Sequence, residues 1–311
     1  MDMDGAHEAI QNRCGCVKHS PMRCQLTFLA AVVLGLSLSA AERQTDPTWL
    51  YRSVPSVPAK PSDVTSPTCR YKPVFGAGDT EARQLRGIVR FGEMTVDPEG
   101  SSATVNYPNE EQVYVVMEGS GSVLYGGEKV AVRKNDFLYL PPGVPHGVAS
   151  CAAGQPCRIV VMGYRIPQDA KLTIPPKPLV ANIDDVNRQT VAGHPPSTQY
   201  QLLMGDTQSK RDKIAAGHVL TSLFIMEFDA GGTNIPHHHD REEEIYLVLD
   251  GRGDMVAGGG MDGVEGRHPA KPGDAYFIRL NCTIGFLAGN KPGEPKSRIL
   301  AVRSLYPFRF R

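Results

Sequence analysis

The chain reads as all-β, with two tandem jelly-roll barrels, and three observations predict this. Glycine and proline number 32 and 25 among 311 residues, roughly 18% of the chain against ~12% in average usage, which favours short strands joined by tight turns. Short runs rich in Val, Ile, Leu, Tyr and Phe alternate with Gly, Asn-Asp and Pro-Pro turn signals. The order of these runs occurs twice, and EEQVYVVMEGSG lies over EEEIYLVLDGRG at an offset of 132 residues. That is a duplicated domain, because a solenoid repeats every ~20–50 residues. Hydrophobic residues make up 41%, enough for a sizeable core and too many for a disordered chain. Lys+Arg and Asp+Glu each number 33, so net charge supplies no drive toward nucleic acid or an anionic membrane. A small molecule is the default partner.

Taken in order, residues 1 to 41 are expected to be a signal peptide. Leu26 to Ala41 is uncharged and mostly apolar, follows Lys18 and Arg23, and ends in Ser39, Ala40 and Ala41. This is the layout of a secretory signal cleaved after Ala41. Translation from Met22 would give the ordinary start MRCQLTFLAAVV. The rival reading is an uncleaved anchor, but the run falls short of the ~20 residues a spanning helix needs, so no stable membrane anchor is implied. The protein is expected to be exported, to a periplasmic or extracellular space. Removing the signal leaves Cys69, Cys151, Cys157 and Cys282. Cys151 and Cys157 flank the turn-rich AAGQP and are the expected disulfide in an oxidising space, with two free thiols as the alternative.

Residues 42 to 84 form a Pro-rich arm, in which SVPSVPAKPSDVTSP excludes helix and central strand. An N-terminal barrel over 85 to 166 takes in GIVRFGEMTV, QVYVVMEG, GSVLYGG, KVAVRK, DFLYLP and RIVVMGYRI. A linker with six prolines spans 167 to 205, with a short helix signalled around Ile183 to Arg188. A C-terminal barrel over 206 to 311 repeats the order as LTSLFIMEF, EIYLVLDG, GDMVAGG, DAYFIRL and RILAVRSL. Alternate strand residues point into each barrel. The loop 257 to 273 is longer than its counterpart in the first copy and is either a lid or a surface insertion. The glycines at 258 to 260 lack the following helix or Lys-Ser/Thr that nucleotide binding requires.

The second copy contains GGTNIPHHHDREEEIYLVLDG. Period-two alternation puts His237 and His239 on one strand face and His238 on the other. A turn through DREE brings a glutamate back beside them, Glu244 by spacing or Glu243 after a one-residue shift. Imidazole and carboxylate suit a divalent first-row metal, and two His with one carboxylate and open positions suits iron(II) or manganese. The plain alternative is an exposed polar loop.

Gly231, His237, His239, Glu244 and Gly251, separated by five, one, four and six residues, resemble the first signature motif of the cupins in type and spacing. The first copy keeps the skeleton as Gly100, Asn106, Pro108, Gln112 and Gly119. The second cupin motif is similar to Asn135, Pro141, Gly143 and His146 in the first copy. In the second copy only Gly273 fits, with Arg279, Asn281 and Ile284 at the other places. The resemblance covers roughly residues 85 to 305 and implies a two-domain cupin, or bicupin.

What it implies about function is set by the departures. The ligand set carries over as His237, His239 and Glu244, with Ile284 at the usual fourth position. The N-terminal barrel keeps only His146, either a pocket residue or a structural one, and is expected to be metal-free. One divalent transition metal per chain is implied, iron or manganese favoured, with copper, zinc and nickel open. His218 and His268 are candidates for a missing ligand without motif spacing. Arg279 either clamps a carboxylate or phosphate or pairs with Asp274. Candidates for a general base are Glu243, Tyr276 and a metal-bound hydroxide, while Tyr114 and Tyr246 read as barrel packing. The resemblance implies dioxygenase, decarboxylase, isomerase or lyase chemistry on a small oxygen-rich molecule, or a binding and storage protein, and a homodimer is compatible with it. A maintained ligand set beside an eroded copy favours the enzyme.

Overall fold

The computed structural model describes residues 48–80, 84–259 and 265–307. The expected signal peptide, Leu26 to Ala41, lies outside them. Among the described residues there is no α-helix, and none is long and apolar enough to cross a membrane.

An arm strand, β1 (Trp49–Ser53), leads the chain. The first copy follows as β2 (Cys69–Gly76), β3 (Ile88–Val96), β4 (Glu110–Glu118), β5 (Ser120–Tyr125), β6 (Glu128–Arg133), β7 (Asp136–Leu140), β8 (His146–Cys151) and β9 (Cys157–Arg165). The linker carries β10 (Leu179–Asn182) and β11 (Arg188–Gln189). The second copy is β12 (Thr198–Asp206), β13 (Ile214–Gly217), β14 (Leu220–Phe228), β15 (Glu242–Asp250), β16 (Gly253–Gly258), β17 (Glu265–Ala270), β18 (Asp274–Ile278), β19 (Thr283–Ala288) and β20 (Ser297–Leu305). The helix expected near Ile183 is one short 3-10 turn, Ile183–Asp185, capped by the Asn182 side chain.

Each copy folds as a large sheet facing a three-stranded one, in the orders β10-β7-β4-β9-β3-β2 with β6-β5-β8, and β1-β18-β15-β20-β14-β12-β11 with β17-β16-β19. Hydrogen bonding does not close either pair into a ring, so these are jelly rolls with open edges. β2 lies within the expected arm and β12 begins within the expected linker, so both copies start earlier in the chain than their motifs. The leading strands are exchanged. β1 pairs with β18 of the second copy, Trp49 opposite Ile278, while β10 pairs with β7 of the first, Leu179 opposite Tyr139. Pro73 sits on the edge strand β2 beside a register shift, where a missing N–H does least harm. Within the loop expected as a lid, Glu265–Ala270 form β17, laddered along β16, while 260–264 lie outside the described residues.

Three cores follow from strand alternation. Tyr114, Val116 and Leu138 fill the first interior, and Phe228, Tyr246, Ile284 and Phe286 the second. The opposite faces of the large sheets, with Val113, Val115 and Phe137 from one and Ile225, Ile245 and Leu300 from the other, pack into a shared core between them. β4 and β15 are therefore buried on both faces, which is why VYVVM and IYLVL are continuous apolar runs.

Two carboxylates latch this core reciprocally. Glu111 accepts the backbone N–H groups of His218, Val219 and Leu220 at 2.8–2.9 Å. Glu243 accepts those of Arg86, Gly87 and Ile88 at 2.7–2.9 Å. The ladders slip beside both nests, between Ile88 and Arg90 and between Leu220 and Ser222. Such bulges leave amides without ladder partners, and the buried carboxylates supply the acceptors. Burial pushes the Glu243 carboxyl up to about 7, against the lowering effect of the three N–H groups.

The disulfide expected between Cys151 and Cys157 is not formed. Both are buried free thiols. Cys151 Sγ donates to Gln155 O at 3.4 Å and Cys157 Sγ to Ser120 O at 3.0 Å, so each proton has a backbone acceptor.

Candidate metal centre

The loop before β15 builds the site. His237 exchanges both backbone hydrogen bonds with Ile284, at 2.9 and 2.8 Å, and His239 O accepts from Asn281 N at 2.7 Å. The segment is thus a loop pinned to β19 rather than the regular strand expected. Ile235, at φ +55°, is in a region costly for a β-branched residue, and its carbonyl lies 2.8 Å from His237 Nδ1. A carbonyl only accepts, so Nδ1 carries the proton and Nε2 presents a lone pair. His238 is exposed.

His237 Nε2 and His239 Nε2 are 3.2 Å apart, and His239 Nε2 is 3.0 Å from Glu244 Oε2. That carboxylate oxygen is buried and, the His239 ring apart, receives no hydrogen bond. Among the described residues these three side chains are the one group of potential ligands whose donor atoms all lie within 4.8 Å of one another. Donors ~2.1 Å from a common ion and at right angles are ~3.0 Å apart, so the set fits a single cation. Burial lowers the His237 pKa despite the hydrogen bond to Ile235. For His239 burial acts the same way, but Glu244 outweighs it and the pKa rises.

The three line a cavity of about 230 Å³ with His194, Tyr246 and Arg303 among its walls. Asn234 is buried and fixes part of the wall, donating from Nδ2 to Tyr246 Oη and accepting from Phe286 N, both at 2.8 Å. Burial, then Glu244, keeps the Tyr246 hydroxyl protonated by raising its pKa well above the usual value. Arg303 stands opposite Glu244 in the β15–β20 register. One of its terminal nitrogens lies 3.2 Å from Glu242 Oε2, its guanidinium sits 5.7 Å from the Phe224 ring centroid, and its Nε is buried without an acceptor.

Other residues singled out in the sequence lie elsewhere. Glu243 faces the core between the jelly rolls, because adjacent strand residues point to opposite faces. Tyr276 stacks on Tyr51 with centroids 5.3 Å apart, and its hydroxyl lies 3.4 Å from Pro269 O. Arg279 is at the β1–β18 edge, its N–H donating to Thr48 O, and is not on the cavity wall. His218 Nδ1 is 3.4 Å from Glu111 in the latch, and His268 stacks on Trp49 at 4.4 Å. Sequence reasoning missed His194, in a Pro-rich linker without a motif. It also missed Arg303, whose one signal is that RILAVRSL carries Arg where RIVVMGYRI carries Gly163.

The first copy shows the same row of the sheet in another state. Gln112 stands opposite Gly163, and Gly163 opposite Arg90, as Glu244 stands opposite Arg303 and Arg303 opposite Ser222. A Cβ at position 163 would collide with the Glu110 carboxylate. Arg90 is buried, pairs with both Asp63 oxygens at 2.9 and 2.8 Å, and lies 3.4 Å from Glu110. Gln112 bonds His146 Nε2 at 3.2 Å and Glu110 at 2.8 Å. A guanidinium thus supplies the positive charge among these polar groups, and Asn106 is exposed.

Burial holds the His146 pKa down at about 4, with Arg90 lowering and Val144 O and Asp63 raising it. An unfolded histidine takes up its proton near pH 6.5, so stability is retained above that value and lost as pH falls toward 4. Urea denaturation is expected to show a loss of about 2 kcal/mol from this group between pH 8 and pH 5. His146→Gln should remove that share of the slope, and an unchanged slope would contradict the assignment.

The cupin-domain family model matches residues 92–163 and 224–288. The chain carries two cupin domains in tandem and is a bicupin. It is 28% identical over 80 residues, 25% of this chain, to an uncharacterised protein of Methanocaldococcus jannaschii, and spans 63% of that relative's length. Among solved structures, a candidate glyoxylate-induced protein of Pseudomonas aeruginosa aligns with a TM-score of 0.64 and 19% identity, over 87% of this chain and 94% of that one. The oxalate decarboxylase of Bacillus subtilis, a protein with Mn(II) centres, aligns with a TM-score of 0.57 and 13% identity, over 81% and 76%. At these identities the likeness is one of fold.

Proposed function

We propose that this bicupin is a metal-dependent enzyme acting on a small oxygen-rich molecule at one site, formed by His237, His239 and Glu244. The observation that carries the reading is the convergence of two imidazole nitrogens and a buried, otherwise unbonded carboxylate oxygen on the wall of a cavity. Iron or manganese fits this donor set best, and the fold likeness to a manganese protein supports the second. A divalent ion held there supplies Lewis-acid or redox chemistry. The chain's own groups do the rest. Arg303 Nε is a free donor for an anionic oxygen of the substrate, protonated Tyr246 borders the site, and the apolar face of Phe224 limits water. An oxygenase, decarboxylase, isomerase or lyase reaction suits such a site.

The rival is a ligand-binding bicupin, favoured by Ile284 at the fourth position and by the first domain, where Gln112 and the buried Arg90 stand in the ligand row. The discriminating experiment is turnover of the full chain, loaded with Fe(II) or Mn(II), on a panel of small hydroxy- and oxo-acids, followed by oxygen uptake and product mass. Metal-dependent turnover of one class is expected. A compound retained through purification and never turned over would establish the binder instead.

A further inference from the structure

We propose that His194, on the linker between the two domains, is a further ligand of the metal, taking the role that Ile284 cannot. The inference rests on the metal reading above and adds a residue outside both signature motifs. Ile284 is apolar, fully buried in the second core and tied through its backbone to His237, so its side chain offers a metal no donor, where its counterpart His146 reaches Gln112 in the first copy. His194 stands on the same cavity wall as the three motif ligands, with its ring edge-to-face against His237 at a centroid distance of 5.2 Å.

The hydrogen bonding of its ring matches that of a ligand. His194 Nδ1 makes a short hydrogen bond to Asn234 O, while His237 Nδ1 bonds the next carbonyl, Ile235 O. Two consecutive carbonyls therefore fix two imidazoles in the same tautomer, each with a bare Nε2 available to a cation. Ligating histidines commonly have their second nitrogen held in this way. The support is rigid, since the Asn234 side chain is itself locked by Tyr246 and Phe286. The ring is also aimed along the chain by a tight turn. His194 N donates to Val191 O at 3.1 Å in a turn whose third residue, Gly193, has φ +86°, the geometry that calls for glycine there. The linker is stitched to the ligand loop just beyond, with Thr198 Oγ1 donating to Thr233 O at 2.8 Å.

His194 lies outside the group whose donor atoms are within 4.8 Å of one another, so ligation brings its ring nearer to the other three.

The test counts coordinated imidazoles by pulsed EPR on the full chain loaded with Cu(II), compared with His194→Ala and His194→Gln. Three in the wild type and two in both variants are expected, with Cu(II) affinity weakened about tenfold or more in the variants and the third nitrogen restored by added imidazole. Two imidazoles in the wild type overturn the inference while leaving the motif site standing, and that count needs no variant to fold. A wild type that binds no metal overturns the metal reading and this inference together.

Discussion

Glu111→Ala is expected to destabilise the protein by about 4 kcal/mol or more, since each buried donor left without an acceptor costs about 1–3 kcal/mol. The variant strands the N–H groups of His218, Val219 and Leu220 and takes one acceptor, at 2.8 Å, from the Tyr139 hydroxyl, which keeps His218 Nδ1 at 3.1 Å. All of them lie where one domain meets the other. Glu111→Gln keeps an acceptor oxygen and should recover part of the loss. Glu118→Ala is the control, because its pair with Arg158 is half exposed and such pairs contribute about 0–1 kcal/mol. Urea midpoints of the three variants decide the matter. A shift for Glu111→Ala no larger than for Glu118→Ala would show that the latch does not hold the domains.

Glu244→Leu separates binding from stability. In metal-free protein at pH 8 the variant should be about as stable as the wild type, because it replaces with apolar surface a buried carboxylate oxygen that has no hydrogen-bond partner besides the His239 ring. Metal should then discriminate between them. A ligand at a hundred times its Kd stabilises the native state by about 2.7 kcal/mol, and the wild type should gain this on adding Mn(II) or Fe(II) while Glu244→Leu gains nothing. Thermal melts with and without metal give the answer, and equal stabilisation of both proteins would place the ion elsewhere.

The fold was legible because duplication and turn spacing are local signals. The two-sided burial of VYVVM and IYLVL was legible only in part, since a continuous apolar run does not say that one face packs against a second copy. The roles of three adjacent glutamates show the limit. Spacing separates Glu244 from its neighbours, but only the sheet places Glu243 in a nest of amides in the other domain, and only the ladder sets Glu242 beside Arg303. His237, His239 and Glu244 were readable because a motif compresses their geometry into a short stretch. Arg303 and His194 come to the cavity from a late strand and a linker, where long-range pairing decides position and no local pattern reports it. The exchange of β1 and β10 between the domains was hidden for the same reason, as was the ion pair of Arg90 and Asp63 in the first copy, which meet across separate segments.

The most direct test of the account is metal content by elemental mass spectrometry of the purified full chain, before and after reconstitution and desalting. The account predicts close to one iron, manganese or related divalent ion per chain, lost in His237→Ala. A chain that retains no metal after reconstitution would contradict it.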